Sequence, residues 1–570
     1  MRSLISVAFI TLVSASLGAE PASKGLHPTL SSVAAAKASV TYSTPYAPPL
    51  FPGETIQLTE EALAAAAAEI QDDSIADLFS FGTYANKTAS SCRPHRCKVL
   101  PGDPAWPDDR DWRGFNSVFA GALILTVPLS APCYADWPEY NVDGRSCLPL
   151  GYNYTNSCLL GAYPWVVVNV STVRDVQYAM NFARNLNLRL VVKSTGHDMI
   201  GKASGKGALS IWTHWLKDKA YYPDYRVANG YGGPAIKFEA GIQVGEAYKY
   251  AKELGVTIVG GECATVGFSG GYIAGGGHSP LSSLYGMAAD QVLALPCFVA
   301  ATAKENPDVY WMLRGGGGST IGVVVSLTVK AYSQLKTTTV NFNFTVADTP
   351  GVDLFWSAVQ AYFDNIERFV DAGTYGYYTV GASSIEPSID YTSDRQYYFS
   401  MQSFVAPDMT VKKTKELLQP LFSVLYRMNV SFNARFNHAD NFQFTYRQGL
   451  IIAGVQLSGT GIAVKPPTDN AVLPAWRGTL AHILVGIEWN VTSAPESGAY
   501  MSEVDVLEPN LQDAFYGTNY ARLYELKQRY DPTGVFFALT GVGAEDWEVQ
   551  VVDPLPYSWN NNGILCPRQT

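Results

Sequence analysis

Charge is the first scarcity. Asp, Glu, Lys and Arg together supply 16% of the 570 residues, which excludes a disordered or coiled-coil chain. Positive charge is scarcer still. Lys and Arg number 40 against 50 Asp and Glu, a formal net charge of −10, and they form no run. Such a chain is not drawn to nucleic acid or to an anionic membrane surface. Long apolar runs are missing too: beyond the N-terminus no stretch has the length and apolarity of a transmembrane helix. No pair of C-x-x-C clusters occurs, which argues against a structural zinc site, and no metal is expected. There is no solenoid repeat.

What is abundant is core-forming material. Hydrophobic residues make up 47% and aromatics 12%, enough for two or three core-forming units or for one subunit with two interlocked domains. Residues 1–18 read as a secretory signal: Arg2 gives a positive start, Leu4 to Val13 a short apolar run, and Ser16 and Gly18 are small residues before a cleavage point. The expected location is the secretory pathway, either outside the cell or in a secretory or vacuolar lumen. N-x-S/T sites at Asn86, Asn153, Asn343, Asn429 and Asn490 fit that route; a sixth, Asn169, falls in an expected strand. Of eight cysteines, Cys92 and Cys97 are close enough to close a small loop, and Cys133, Cys147 and Cys158 offer one more bridge with one left over.

Residues 19–100 form a leader, irregular to about residue 55, then an alanine-rich helix over Glu60–Gln71. A Pro- and Trp-rich turn follows and leads into a helix. From Trp165 the grammar is strand, helix, strand. "WVVVNV" is followed by a capping box at Thr172 and Asp175, by apolar residues at helical spacing, and by "LRLVV". The pattern repeats in "IKFEAGI", a helix over Val244–Leu254, and "VTIV"; "IGVVVSLTV" (321–329) is a further strand. After about residue 335, aromatic strands such as "TYGYYTV" and "RQYYFSMQSFV" alternate with helices. The boundaries fall near 101–334, 335–505 and 506–570, the last with a helix that closes at Tyr530.

Three glycine-bearing segments carry the chemistry. "VVKSTGHDMIGKASG" (191–205) ends a strand in a loop whose backbone amides can point at phosphate oxygens. Read alone, it is an ordinary turn and His197 a surface or hydrogen-bonded histidine. "GGECATVGFSGGYIAGGGHSPLSSLYGMAADQV" (260–292) holds nine glycines, which makes sense if backbone wraps a large flat ligand. Read alone, its Cys263 is a buried thiol or a disulfide partner. "VYWMLRGGGGSTIGVVV" (309–325) sets a glycine quartet before a strand.

Together with "PAWR" and the terminal "YDPTGVFFALTGVGAEDWEV", these segments resemble the FAD-linked oxidases of the vanillyl-alcohol-oxidase type. Those proteins have a PCMH-type FAD-binding domain and include the berberine-bridge-like enzymes; the likeness is strongest to the fungal isoamyl alcohol oxidase branch. It runs from about Pro101 to the C-terminus. It implies an α+β fold: a two-lobed FAD-binding domain over 101–334, an α+β substrate domain with an antiparallel sheet over 335–505, and a return to the first domain over 506–570. It also implies two covalent links to one FAD, from His197 to the 8α-methyl and from Cys263 to C6 of the ring. Lys193, Ser194, Thr195, Gly196 and Asp198, with Gly201 and Gly205, would surround the pyrophosphate. Gly261, Thr265, Val266, Gly267 and Gly270 would line the other side. Gly275, Gly276, Gly277 and His278 would lie close to the flavin.

The expected reaction is hydride transfer from an alcohol to the flavin while a base takes a proton, with O2 as acceptor and H2O2 as product. No G-x-G-x-x-G with a following acid stands in a strand–helix turn, so a nicotinamide acceptor is not expected. Base candidates are Tyr375, Tyr377, Tyr378, Tyr446 and His438. Other readings of the substrate are a secondary metabolite, oxidised or cyclised, and a carbohydrate; a flavin-binding glycoprotein without turnover is the reading from a different class. Two departures from the family pattern stand out. Ser502 occupies a position where relatives carry Asn, and the stretch between Asp290 and Trp311 is short for a strand–turn–strand.

Overall fold

Thr172 and Asp175 do what their spacing predicts. The Thr172 hydroxyl accepts the Asp175 amide at 3.1 Å, and the Asp175 carboxylate accepts the Thr172 amide at 2.9 Å. This reciprocal cap starts the helix Val173–Asn185. The fold is seen in a computed structural model that describes residues 49–71, 77–81, 97–128, 130–134, 158, 160–227, 230–296, 300–318, 321–383, 396–442, 456–461, 469–477, 479, 481–486, 501–502, 506, 508–551 and 563–568.

The capped helix lies between strands of the first sheet, β1 (Leu123–Leu125), β2 (Val166–Asn169), β3 (Leu190–Lys193) and β4 (Leu209–Trp212), in the order β1-β2-β4-β3. β4 runs parallel to both β2 and β3, and Lys193 pairs with Trp212 at their carboxyl ends. That end of a parallel pair is where loops collect and ligands bind. Val168, Ile211, Phe182 and Phe115 fill the core beneath.

The second lobe is antiparallel. β5 (Lys219–Arg226), β6 (Gly232–Glu239), β8 (Val292–Pro296), β9 (Ala300–Ala301) and β10 (Ser326–Lys330) take the order β5-β6-β10-β8-β9, while β7 (Val256–Thr257) pairs with β11 (Tyr332–Ser333). The short stretch after Asp290 still forms a hairpin, with Leu295 opposite Ala301. The strand expected over 321–329 is shorter than expected. Only Ser326–Lys330 joins the ladder, because Val323 and Val325 pack into the first lobe's core and Leu327 and Val329 into the second's. The apolar run bridges two cores.

The third sheet holds six antiparallel strands: β12 (Thr337–Thr345), β13 (Tyr375–Ser383), β14 (Gln396–Pro407), β15 (Arg435–Ala439), β16 (Gln456–Gly461) and β17 (Ala481–Gly486), in the order β15-β12-β14-β13-β16-β17. Helices Val352–Phe363 and Val411–Arg427 pack against the face that carries Phe342, Phe344, Tyr378 and Phe399. The mixed α+β architecture expected from the sequence is present.

Both ends of the described residues pack into the fold. Regular structure is present before residue 55: Glu54 is buried, pairs with buried Lys237, accepts the Ser326 hydroxyl, and takes the Phe51 amide at 2.6 Å. The helix Glu60–Ile70 then lays Leu63 and Ala66 on the first core. At the other end the helix Tyr520–Tyr530 closes where expected, and Phe536 bridges back to Leu190. β18 (Trp547–Gln550) and β19 (Ile564–Pro567) form a last ribbon. Cys97 is bonded to Cys566, 469 residues away in sequence. The proposed Cys92–Cys97 loop is therefore corrected: β19 brings Cys566 alongside the Lys98 backbone, whose amide donates to Leu565 at 2.8 Å. Cys158 is also disulfide-bonded. Asn343 and Asn429 are exposed, Asn169 is half-buried in β2, and Asn86, Asn153 and Asn490 lie outside the described residues. No helix of the described residues is long and apolar enough to cross a membrane.

Candidate active site

The carboxyl ends of β3 and β4 open into the loop that begins at Ser194. It meets the other two glycine-bearing segments around one cavity of about 440 Å³. Ser194, Thr195, His197 and Asp198 line it from the first segment, Gly261, Cys263, Val266, Gly267, Gly270 and His278 from the second, and Gly317, Gly318 and Gly322 from the third. Tyr377 and Gln402 of the third sheet and Ser502 complete the wall. His197 and Cys263 thus face one space. The two loops touch directly, with His197 Nε2 2.7 Å from Thr265 Oγ1. Cys263 is half-buried and forms no disulfide.

The glycines explain the shape. A Cβ on Gly271 or Gly322, both on the wall, would meet nothing within 4 Å and would stand in the cavity itself. A Cβ on Gly267 would come 2.6 Å from Ser194 Oγ, and one on Gly318 2.9 Å from Gly271 Cα. The segments close on each other because they lack side chains, and they leave a bare, wide slot for a flat ligand. Gly276 and Gly277 have φ of 110° and 71°, the left-handed turn that delivers His278. Its ring stacks on Trp476 at 6.2 Å.

Charge gathers at the first loop. Burial lowers the pKa of Lys193, whose ammonium donates to the Thr195 carbonyl at 2.7 Å. Burial also lowers Lys202 to about 8, with Asp198 opposing. Burial and then the charge of Lys193 lower the pKa of His197, so its imidazole is neutral at physiological pH. Bare glycine walls, the Lys202 cation on the wall with Lys193 behind the loop, a neutral imidazole and a thiol fit FAD: the positive charge suits its pyrophosphate, the slot its ring, and the imidazole and thiol are nucleophiles of the kind that form flavin links.

Several expected residues sit elsewhere: Lys193, Gly196, Gly276 and Gly277 are not on the cavity wall. Gly205 does not line the cavity; it makes room for Arg189, whose Nε would lie 2.3 Å from an added Cβ. Gly275 likewise packs on Ser502, whose Oγ would lie 2.7 Å from an added Cβ. Thr265 acts from behind His197, and Gly201 supplies a turn with φ of 75°. Among the base candidates, Tyr377 is on the wall. Tyr378 points the other way, into the core between Tyr362 and Phe399, where burial raises its pKa. His438 stands exposed on the edge strand β15, 2.9 Å from the Thr338 hydroxyl and away from the cavity, so it is withdrawn as a base. Tyr375 is fully buried and donates its phenol to Glu262. Tyr446 lies outside the described residues. Sequence reasoning passed over Glu262, Lys202, Thr213 and Gln402. It also passed over the clamp in which Arg477 of "PAWR" grips Asp290 with bonds of 2.7 and 3.0 Å, joined by Asn470 at 2.6 Å.

The fold and site define a flavoprotein with a two-lobed FAD-binding domain and a second domain roofed by an antiparallel sheet. Residues 164–304 match the FAD binding domain model, and residues 499–543 the model named berberine and berberine like. The chain is 34% identical to FAD-linked oxidoreductase ZEB1 of Gibberella zeae over 82% of its own length and 95% of that protein. It is 33% identical to the VAO-type flavoprotein oxidase VAO615 of Thermothelomyces thermophilus over 83% and 97%. The crystal structure of MtVAO615 from Myceliophthora thermophila superimposes with a TM-score of 0.70 at 30% identity, over 83% of this chain and 100% of that one. A glucooligosaccharide oxidase from Acremonium strictum, which carries a 6-S-cysteinyl, 8α-N1-histidyl FAD, shares the fold with a TM-score of 0.53 at 14% identity over 75% and 99%. The chain belongs to the VAO-type, berberine-bridge-like family and is an FAD-linked oxidoreductase.

Proposed function

We propose that this protein is a secreted oxidase of alcohols that holds FAD on two covalent links, at His197 and Cys263, and uses dioxygen as acceptor. The observation that carries the reading is the meeting of imidazole and thiol on one cavity, where the loop of His197 touches the loop of Cys263 through the 2.7 Å His197–Thr265 contact. The linkage named for the glucooligosaccharide oxidase supports the same pairing. When bound, FAD supplies a two-electron sink that takes the carbon-bound hydrogen with its electron pair and passes the pair to oxygen, giving hydrogen peroxide.

The chain's own residues do the rest. Lys202 on the cavity wall would hold positive charge against the cofactor's phosphates, with Lys193 bracing the loop through the Thr195 carbonyl. The lowered pKa of His197 keeps its imidazole nucleophilic. Tyr377 and Gln402 face the slot from the third sheet and suit a small hydroxylated molecule, whether a simple alcohol of the isoamyl alcohol type or a secondary metabolite. Secretion is supported by the N-terminal signal, the exposed sequons at Asn343 and Asn429, and the disulfide Cys97–Cys566.

Acid precipitation tests the attachment. The pellet is expected to stay yellow and its denatured band to fluoresce, with His197→Ala and Cys263→Ala each leaving one link; free FAD in the supernatant would refute it. A panel of alcohols, sugars and polyketide-like phenols, added without oxygen and followed by air with peroxide detection, tests the reaction. A flavin that no member bleaches would favour a glycoprotein that binds FAD without turnover.

A further inference from the structure

We propose that Glu262 is the general base of the reaction and that Tyr375 is the positioning residue that holds it; the inference rests on the oxidase reading above. Among the described residues two carboxylates line the cavity, Asp198 and Glu262. Asp198 belongs to the cationic end. It accepts the Ala203 amide within its own loop, and its charge acts on Lys193 and Lys202. Glu262, one residue before the thiol, lines the same cavity as Tyr377 and Gln402 and meets Tyr375 of β13, two residues along the strand from Tyr377.

The sheet explains how Glu262 is fixed. β13 alternates, so Tyr375 and Tyr377 face the FAD-binding lobes, while Gly376 and Tyr378 face the helices, where an added Cβ on Gly376 would lie 2.5 Å from the Tyr362 hydroxyl. Tyr375 is fully buried, is not on the cavity wall, and commits its phenolic proton to Glu262 Oε1. The carboxylate therefore stands between the phenol and the slot. A second phenol, Tyr248 on the helix Val244–Glu253, donates to the Gly261 carbonyl at 3.0 Å; burial and the charge of Glu262 raise its pKa, so it keeps its proton. Titratable groups near Glu262 among the described residues include Tyr375 and Tyr248, the neighbouring Cys263 thiol, and Tyr377 and His278 on the same cavity. Carboxylates as a class are ionised at neutral pH and can accept a substrate proton, whereas phenols keep their own protons until about pH 10.

The balance is that of a two-electron oxidation. The alcohol O–H bond breaks and its proton goes to Glu262. The C–H bond breaks and the hydrogen leaves with the bonding pair to the flavin, so that a carbonyl remains. The proton on Glu262, the transferred hydrogen and dioxygen then sum to hydrogen peroxide.

The test uses the flavin-loaded enzyme and an alcohol that bleaches it. Glu262→Gln is expected to slow the limiting rate of anaerobic bleaching by at least about 100-fold, with half-saturation changed by less than about threefold. The flavin retained after acid precipitation should match wild type. Bleaching within about threefold of wild type, or a Tyr377→Phe loss larger than that of Glu262→Gln, overturns the proposal. Should Glu262→Gln fail to fold, Tyr375→Phe carries the test. Losing a donor to the charged form raises a carboxylate's pKa, so the acid limb of the rate–pH profile is expected to move to higher pH. An unmoved limb overturns the proposal. A wild-type flavin that nothing bleaches is instead the failure of the oxidase reading, and it takes this inference with it.

Discussion

Glu239 ends β6 with only 5% of its surface exposed and accepts the Asp218 amide at 2.8 Å. Burial raises its pKa from 4.5 to about 7; the Asp218 hydrogen bond and Lys237 pull the other way, and the charges of Asp218 and Glu54 add to the rise. The folded carboxyl keeps its proton to higher pH than the unfolded one. Its contribution to stability is therefore full below about 4.5 and is lost as pH rises through about 7. Glu239→Gln copies the protonated form. Its unfolding midpoint should equal wild type near the low end of that window and exceed it on the alkaline side, by on the order of 1–3 kcal/mol. Equal midpoints on both sides would refute the assignment. At this scale the sequence was most legible where a residue's chemistry is rare. A histidine and a cysteine inside glycine-bearing loops stood out, and both reach the cavity. Glu262 did not, because an acid before a cysteine has no spacing to mark it. His438 and Tyr378 misled because polarity does not reveal which face of a strand a side chain takes; β13 alternates through Tyr377 and Tyr378, and the register shift there comes from the extra residue Gln402 on β14.

Among the elements, the strand–helix–strand unit and the two aromatic strands β13 and β14 were readable from period and capping alone. The run 321–329 was not, because strand-like apolarity also serves a segment that crosses between two cores. The glycine segments were readable as loops, but which glycine does what needed the packing. Gly271 and Gly315 show the difference. A methyl on Gly271 would enter open cavity, so Gly271→Ala is expected to fold with an unchanged unfolding midpoint while holding less flavin per chain after acid precipitation. Gly315 has φ of 111°, and a Cβ there would lie 2.3 Å from the Val472 backbone nitrogen. Gly315→Ala must move backbone as well as accept a strained conformation, at a cost of several kcal/mol, and soluble protein should be lost. Normal expression of Gly315→Ala, or full flavin in Gly271→Ala, would contradict this division.

The molecule as a whole depends on pieces distant in sequence meeting over the slot. The segment 469–477 is one such piece: Arg314 donates to the Asp469 carbonyl at 2.5 Å, Trp311 to the Asp469 carboxylate at 2.9 Å, and Asn519 to the Val472 carbonyl at 3.0 Å. Its anchor is the bidentate pair of Arg477 with Asp290, whose side chain is 4% exposed. Asp290 also accepts the Met287 amide at 2.9 Å, which fixes the end of the second glycine segment. Removing only Arg477 takes the bidentate partner from a buried carboxylate that keeps Asn470, Met287 and the more distant charges of Arg314 and Lys330, which costs up to about 3–5 kcal/mol. Arg477→Ala should therefore lower the unfolding midpoint sharply and loosen the turn that carries His278. Adding Asp290→Asn removes the stranded charge and keeps an acceptor for Met287, so the double variant should be more stable than Arg477→Ala alone. A double variant less stable than Arg477→Ala would mean that the packing of the Arg477 side chain on the segment, and not the neutralisation of Asp290, joins the domains.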